Sequence, residues 1–88
     1  MIDVKEAVAK ARQHLVGMLS DEIPRDPRLE EVELSEDGSV WNITLSFISR
    51  GVPFSGTHFP DSSPREYKTI AIRSEDGRFL SMKIRQIA

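Results

Sequence analysis

Two histidines, His14 and His58, have the greatest capacity for acid–base or nucleophilic chemistry, and they lie far apart in the chain. An aspartate and two serines follow His58 closely, which are the residue types of a Ser-His-Asp active site. Residues so close together in one flexible segment cannot orient one another as a triad requires, and no oxyanion hole is evident. His14 lies at the border of an apolar helical stripe, where it is expected to place one ring face against a sheet. The sequence therefore predicts no active site at either histidine.

Metal binding is not predicted from side-chain spacing either. The chain contains no cysteine, which excludes thiolate ligands and a cysteine nucleophile. The two histidines are too distant in sequence to form a zinc site, and no glutamate stands at helical spacing from them. An acidic cluster comprises Glu30, Glu31, Glu33, Glu36 and Asp37. Its spacing does not match a calcium-binding loop and is typical of the solvated face of a strand. We therefore predict no metal, no cofactor and no enzymatic activity.

Residues 50–64 break every periodic pattern, because glycine and proline punctuate them throughout, and they are predicted to form a long loop. Phe54 and Phe59 are apolar side chains with no periodic reason to be buried there. Aromatic residues exposed between glycine and proline can anchor a protein partner. Alternatively, both phenylalanines fold back to close one end of the core. The candidate partner-binding residues of this loop are Phe54, His58 and Phe59.

The elements that must position these side chains begin with a helix over about residues 3–19. Its apolar stripe consists of Val4, Val8, Ala11, Leu15 and Met18 or Leu19, at spacings of three and four. Asp3 is expected to cap the helix, because its carboxylate can accept an unpaired backbone N–H. The prolines at 24 and 27 disfavour helical conformation in the residues before them, so the helix is predicted to end near Leu19.

Strands are predicted where apolar and polar residues alternate, over about 29–36, 40–49, 66–74 and 78–87. The alternation is clearest after Val40, where one face carries Trp41, Ile43, Leu45 and Phe47, as expected of a central strand. The string Ser-Glu-Asp-Gly ends the first and the third of these strands, at 35–38 and 74–77. Glycine supplies the positive φ that a tight hairpin turn needs. We interpret the repeated string as the same solution to two strand reversals rather than a duplication.

One amphipathic helix and four strands with one apolar face each predict an α+β fold, with the helix across one face of an antiparallel meander sheet. The predicted core is the helix stripe together with Trp41, Ile43, Leu45, Phe47, Ile70, Ile72, Leu80, Met82 and Ile84. The opposite face would run from acidic to basic across the sheet. Such a graded face can meet a second copy across a two-fold axis, or another protein. Its candidate binding residues are Tyr67, Arg73, Lys83 and Arg85.

Length and composition set the broad class of the protein. Its 88 residues are enough for one domain, 1–88, and 39% of them are hydrophobic, which is too many for a disordered chain. No stretch approaches the roughly 20 apolar residues of a membrane helix, and no signal peptide is evident. The net charge of −2 argues against nucleic-acid binding. Together with the absence of cysteine, this composition favours a cytoplasmic protein without a membrane or nucleic-acid partner.

The order of elements resembles the PepSY-type domain and the wider cystatin-like layout of a helix on a curved antiparallel sheet. The resemblance is carried by the N-terminal helix, by the strand opening at Tyr67, and by the turn at Asp76-Gly77 before a final apolar strand. It covers most of the chain and implies the same α+β fold. The chain departs from the family pattern by lacking Thr-Gly in the last turn and by inserting the 50–64 loop.

These observations predict a small, non-catalytic protein-binding or regulatory module, suited to an inhibitor-like or immunity-like role. Its partner would be another protein or a second copy of the chain, bound through the loop or the open sheet face. The alternative is a small-ligand-binding or enzymatic domain with a pocket between helix and sheet. The inward positions predicted from the sequence are apolar, apart from the indole N–H of Trp41, which favours the binding module.

Overall fold

A computed structural model of the chain describes residues 1–20, 24–48 and 65–85, so the predicted loop over 50–64 lies outside the described residues. One helix, α1 (Val4–Met18), precedes the strands β1 (Arg25–Leu34), β2 (Val40–Ile48), β3 (Glu66–Arg73) and β4 (Phe79–Ile84). All neighbouring strands are antiparallel, in the order β1-β2-β3-β4, and α1 packs on one face of the sheet. The predicted α+β meander is thereby confirmed.

Helix α1 begins as predicted, and its buried side overlaps the predicted stripe at Ala11 and Leu15 but also includes Ala7. The side chain of Asp3 accepts the backbone N–H of Glu6 at 2.8 Å, which confirms the predicted cap. The buried residues are Ala7, Ala11 and Leu15. Since Ala7 and Ala11 have no exposed surface, the side of the helix that carries them faces the sheet. Val8 and Leu19 of the predicted stripe pack partly buried against this core. Val4 is exposed, so its assignment to the core is wrong, and of the two alternatives Met18 and Leu19 it is Leu19 that is partly buried.

Strand β2 is the centre of the fold. On its helix side Ile43, Leu45 and Phe47 have no exposed surface, and on its other side Thr44 and Ser46 are also buried. Antiparallel neighbours flank it on both edges, and its Ile43 pairs with Ile70 of β3. Trp41 is half-buried and packs against the same core. The predicted central position of this strand is correct.

Strand β1 begins at Arg25, before the start that the alternation predicts at 29. The proline at 27 lies inside it, which an edge strand tolerates because one side of its backbone has no partner strand. Asp26 has a positive φ of 49°, and the pairing is irregular both between Arg25 and Arg28 and after Leu29. Prolines, bulges and charges are the usual means of keeping an edge strand from pairing with other chains.

Strand β4 does not follow the predicted alternation. The pairing between β3 and β4 is irregular at Ile72, which faces Phe79, so that Leu80 is an extra residue at this point. Phe79 packs against the core instead of Leu80, which is exposed. Ile84 ends the edge strand and is 74% exposed. Leu80 and Ile84 are thus wrong as core predictions, while Met82 is partly buried against the core.

The two Ser-Glu-Asp-Gly turns lie side by side at one end of the sheet. Gly38 and Gly77 have φ angles of 75° and 78°, the positive values for which glycine was expected. The backbone N–H of Ser74 donates to the carbonyl of Ser39 at 2.9 Å, and its hydroxyl donates to the carbonyl of Gly38 at 2.5 Å. These two hydrogen bonds therefore hold the second turn against the first at this end of the sheet.

Candidate functional site

An apolar groove lies between α1 and the edge strand β1. It has a volume of about 290 Å³ and is lined by Val4, Lys5, Val8, Ala9, Arg12 and Leu29. Val4 and Leu29, on the two sides of the groove, are 40% and 41% exposed. The groove is therefore a place where apolar side chains of both elements meet solvent together.

The rotation of α1 creates this groove. Because Ala7 and Ala11 face the sheet, Val4 and Val8 are turned toward β1 instead of the centre of the core. On β1, Leu29 pairs with Leu45 on the helix side, at the edge that no further described strand covers. Sequence reasoning missed this site, since it assigned both valines to the core stripe. The only signal for the groove in the sequence was the width of the apolar stripe of α1, which has more apolar residues than one buried helix face can hold.

The charged residues at the groove are both cations. Lys5 and Arg12 belong to its lining, which includes no carboxylate. Within the described part of the chain neither of them forms an ion pair, whereas other arginines, such as Arg28 and Arg65, pair with Asp26. The groove therefore combines an apolar floor with positive charge that has no partner among the described residues.

The residues predicted to bind a partner on the open sheet face do not form one cluster, because they have different neighbours. Lys83 pairs with Thr69 and is exposed, and Tyr67 is half-buried. Arg85 reaches across the sheet to Glu31, with Nη1 2.7 Å from Oε1, and so joins the end of β4 to β1. Arg73 pairs with Asp76 in the turn that follows β3. Phe54, His58 and Phe59 lie outside the described residues.

The ion pair between Arg85 and Glu31 weakens the charge gradient that was predicted for the open sheet face. Opposite charges at the two edges were expected to meet those of a second copy. One pair meets within the chain instead, above Thr44, whose Oγ1 lies 3.4 Å from Nη1 of Arg85. Thr44 and Thr69 are joined in turn by a hydrogen bond of 3.1 Å between their hydroxyl groups. The sequence does not reveal this pairing because the partners are so far apart along the chain.

A second polar cluster on this face is centred on Arg65, which the sequence analysis did not single out. Its Nε donates to the hydroxyl of Ser46 at 2.9 Å and its Nη2 to the carbonyl of Ser46 at 3.1 Å. The guanidinium also pairs with Asp26, while Ser46 donates to Glu30 at 2.5 Å. Arg65 thus joins the start of β3 to β2 and to the irregular part of β1.

The pKa of the Asp26 carboxyl is lowered by the arginines around it. Partial burial acts to raise its pKa, but hydrogen bonds and charge interactions with Arg28 and then Arg65 outweigh that effect and lower it. Arg28 is 61% exposed at its side chain, whereas Arg65 is only 13% exposed. Since solvent screens exposed ion pairs, Arg65 is the partner whose loss matters more.

Replacing Arg65 with alanine should lower the free energy of unfolding by about 2 kcal/mol, because the buried Ser46 and the Asp26 carboxylate lose charge-assisted hydrogen bonds. Urea unfolding of the full chain measures the change. Arg28→Ala is the matched control, since it removes an exposed arginine from the same carboxylate and should change stability by less than about 1 kcal/mol. Equal losses in the two variants would contradict the structural role of Arg65.

The first turn holds a carboxyl with a strongly lowered pKa. The hydroxyl and the backbone N–H of Ser39 and the hydroxyl of Ser35 donate to Oδ1 of Asp37, at 2.7, 3.0 and 2.7 Å. These bonds favour the ionised form and lower the pKa of Asp37 from 3.8 to about 2. In the second turn, Asp76 also has a lowered pKa, chiefly because of its hydrogen bond from Arg73. The aspartate of each copy of the repeated string, Asp37 and Asp76, is therefore structural.

The Asp37 carboxyl should make stability depend on pH. Its pKa is lower in the folded chain, so its contribution is present above about pH 4 and is lost as the pH falls through about 2. The difference in unfolding free energy between wild type and Asp37→Asn should therefore shrink from pH 5 to pH 2 in urea titrations. Glu36→Gln, at the neighbouring exposed carboxylate, serves as control. A difference that stays constant over this range would contradict the role of Asp37.

His14 occupies the boundary position that the sequence predicted. Its ring lies against that of Phe79 of β4, with centroids 4.8 Å apart and an angle of 38° between the planes. The expected contact of one ring face with the sheet is confirmed. In the described ranges, no three His, Asp or Glu side chains are grouped so that they could hold a metal ion. No helix in 1–20, 24–48 or 65–85 has the length and apolar character to cross a bilayer.

Comparison of the chain with protein-family models, with curated proteins and with solved structures finds no match. The resemblance to PepSY and cystatin-like domains therefore stays a prediction.

Proposed function

We propose that the chain is a small, non-catalytic protein-binding module whose partner binds in the groove between α1 and β1. The groove carries the proposal: two apolar side chains, Val4 and Leu29, stay about two-fifths exposed side by side with Lys5 and Arg12. An apolar floor beside charged groups is the composition that protein-binding surfaces present. A regulatory, inhibitor-like role in the cytoplasm suits a module of this size.

A different protein fits this site better than a second copy of the chain. If two β1 edges paired about a two-fold axis near Val32, Glu31 of each copy would lie opposite Glu33 of the other, and like charges opposite one another are destabilising. Pro27 and the bulge after Leu29 also disfavour continuous pairing along this edge. We therefore propose a heterologous protein partner, with self-association as an outcome to be tested.

Small-ligand binding is the second candidate function, and the groove beside α1 is the place where such a ligand would bind. About 290 Å³ is close to the lower limit of the roughly 300–1,000 Å³ found for ligand pockets. The space directly between helix and sheet is filled, since Ala11, Ile43 and Ile70 have no exposed surface. A small ligand would thus have to bind in the groove at the edge, in competition with the proposed protein partner.

Affinity capture with matched variants tests the proposal. Tagged full-length chain is incubated with lysate of the source organism, followed by salt washes and identification of the proteins retained in stoichiometric amounts. The groove variant is Val4→Gln with Leu29→Gln. Val16→Gln is the control, because Val16 is an equally exposed helix valine, at 49%, that does not line the groove. We expect one partner that wild type and Val16→Gln retain and that the groove variant loses.

Two further variants address the surfaces predicted from the sequence. The triple alanine variant at Phe54, His58 and Phe59 tests the loop, and Lys83→Glu tests the open face. Retention of the partner by the groove variant, with loss in either of these, would move the site to that surface. Recovery of the protein alone would contradict a protein partner. A thermal-shift screen of small apolar acids against wild type and groove variant then tests the second candidate.

A further inference from the structure

We propose that the groove binds a segment of its protein partner in which one apolar side chain stands between two acidic residues. This inference rests on the proposed function and specifies the chemistry of the partner at the same site. The apolar side chain would fill the groove, and the carboxylates would pair with Lys5 and Arg12.

The apolar anchor follows from what the floor of the groove exposes. Val4, Val8 and Leu29 leave apolar surface in contact with water, and removing that surface from water is favourable. Ala9 adds only a methyl group to the same wall, which leaves room for a side chain of the partner. None of the lining residues offers a carboxylate or a neutral polar side chain, so a polar anchor would lose its hydrogen bonds with water and gain few in return.

The acidic flanks follow from the cations of the helix. Val8 stands between Lys5 and Arg12, one turn from each, so positive charge lies on both sides of the apolar floor. Neither cation forms an ion pair within the described residues. The rise of an α-helix places the two positions about 10 Å apart along its axis. In an extended partner segment, with roughly 3.3 Å per residue, this separation corresponds to about three residues.

Nucleic acid fits the same surface poorly. A phosphate backbone is recognised by positive charge and hydrogen-bond donors, and it has no apolar group to fill the floor at Val8 and Leu29. The chain as a whole carries a net charge of −2, which disfavours a polyanion at longer range. A peptide segment that combines one apolar side chain with local acidity satisfies both parts of the groove.

Selection from a random library of twelve-residue peptides displayed on phage tests this inference. The full-length chain is the target, and the variant Val4→Gln with Leu29→Gln removes peptides that bind elsewhere. A parallel selection uses Lys5→Glu with Arg12→Glu, both exposed positions. The matched charge-reversal control is Arg78→Glu with Lys83→Glu, also exposed and remote from the groove lining. Thermal melting establishes that each variant is folded.

We expect groove-dependent peptides with an apolar residue flanked by aspartate or glutamate. Their affinity should fall about tenfold or more on the Lys5, Arg12 reversal and less than about twofold on the control, and it should weaken with salt. The reversed protein should instead select lysine or arginine flanks. Groove-dependent peptides without acidic flanks, or with affinity unchanged by the reversal, would overturn the inference while leaving the proposed function intact. A library without groove-dependent peptides would also overturn it, and the capture experiment then decides the proposed function separately.

Discussion

Replacing Phe47 with alanine should lower the free energy of unfolding by about 4 kcal/mol. Among the residues that the structure describes, Phe47 is the largest side chain without exposed surface, and it lies on β2, which is buried on both faces. Removing a buried phenylalanine loses its transfer free energy and leaves a cavity that the surrounding core cannot fill completely. Because native proteins are stable by only about 5–15 kcal/mol, this loss is a large fraction of the total stability.

Urea unfolding followed by tryptophan fluorescence measures this loss, since Trp41 reports on the same sheet. Ile84→Ala is the matched control, because it truncates an apolar strand residue that is 74% exposed and should change stability by less than about 0.5 kcal/mol. The alternation in the sequence assigns both residues to the core, and only the structure separates them. Similar losses in the two variants would contradict the position of β4.

Replacing Trp41 with alanine should lower the free energy of unfolding by about 3 kcal/mol, near the lower limit for a large aromatic residue because Trp41 is only half-buried. Its ring packs against the core beside Ile2, and its indole Nε1–H donates to the carbonyl of Ile2 at 3.3 Å. Ile2 in turn donates its N–H to the carbonyl of Ser74 at 2.7 Å. Trp41 therefore holds the start of α1 against the end of the sheet.

Trp41→Phe separates packing from the hydrogen bond. The phenylalanine keeps an aromatic ring beside Ile2 but cannot donate to its carbonyl, so we expect a loss of about 1 kcal/mol. Thermal unfolding followed by far-UV circular dichroism measures both variants. A Trp41→Ala protein that melts cooperatively near the wild-type temperature would mean that Trp41 does not lie on the helix side of β2 as the pairing with Ile72 places it.

The groove and the open sheet face differ in how much unpaired positive charge they offer to a partner. On the open sheet face, Arg65 and Arg85 form ion pairs within the chain, with Asp26 and Glu31. At the groove, Lys5 and Arg12 have no ion-pair partner among the described residues. Charge already paired within the chain offers less to a partner, since the internal pair must first be broken. The difference is the reason for placing the proposed partner beside α1.

The amino-acid sequence by itself determined the elements whose signals are local. The cap at Asp3, the alternation along β2 and the positive φ of Gly38 and Gly77 depend on neighbouring residues, and each was predicted correctly. One amphipathic helix and four strands with one apolar face each already favour an α+β meander, because a helix laid across one face of the sheet buries these apolar faces together. The contact of His14 with the sheet followed from its place at the border of the helical stripe.

Only the tertiary structure decided which apolar residues stay in contact with solvent. The rotation of α1 toward Ala7 depends on how closely the helix approaches the sheet, and the extra residue at Leu80 depends on pairing between strands. A pattern of hydrophobic residues carries neither distance nor register, so it cannot reveal a bulge or choose between two sides of a broad stripe. The groove exists for this reason: two of its lining residues, Val4 and Val8, belong to the predicted core stripe, and packing leaves them beside the edge strand.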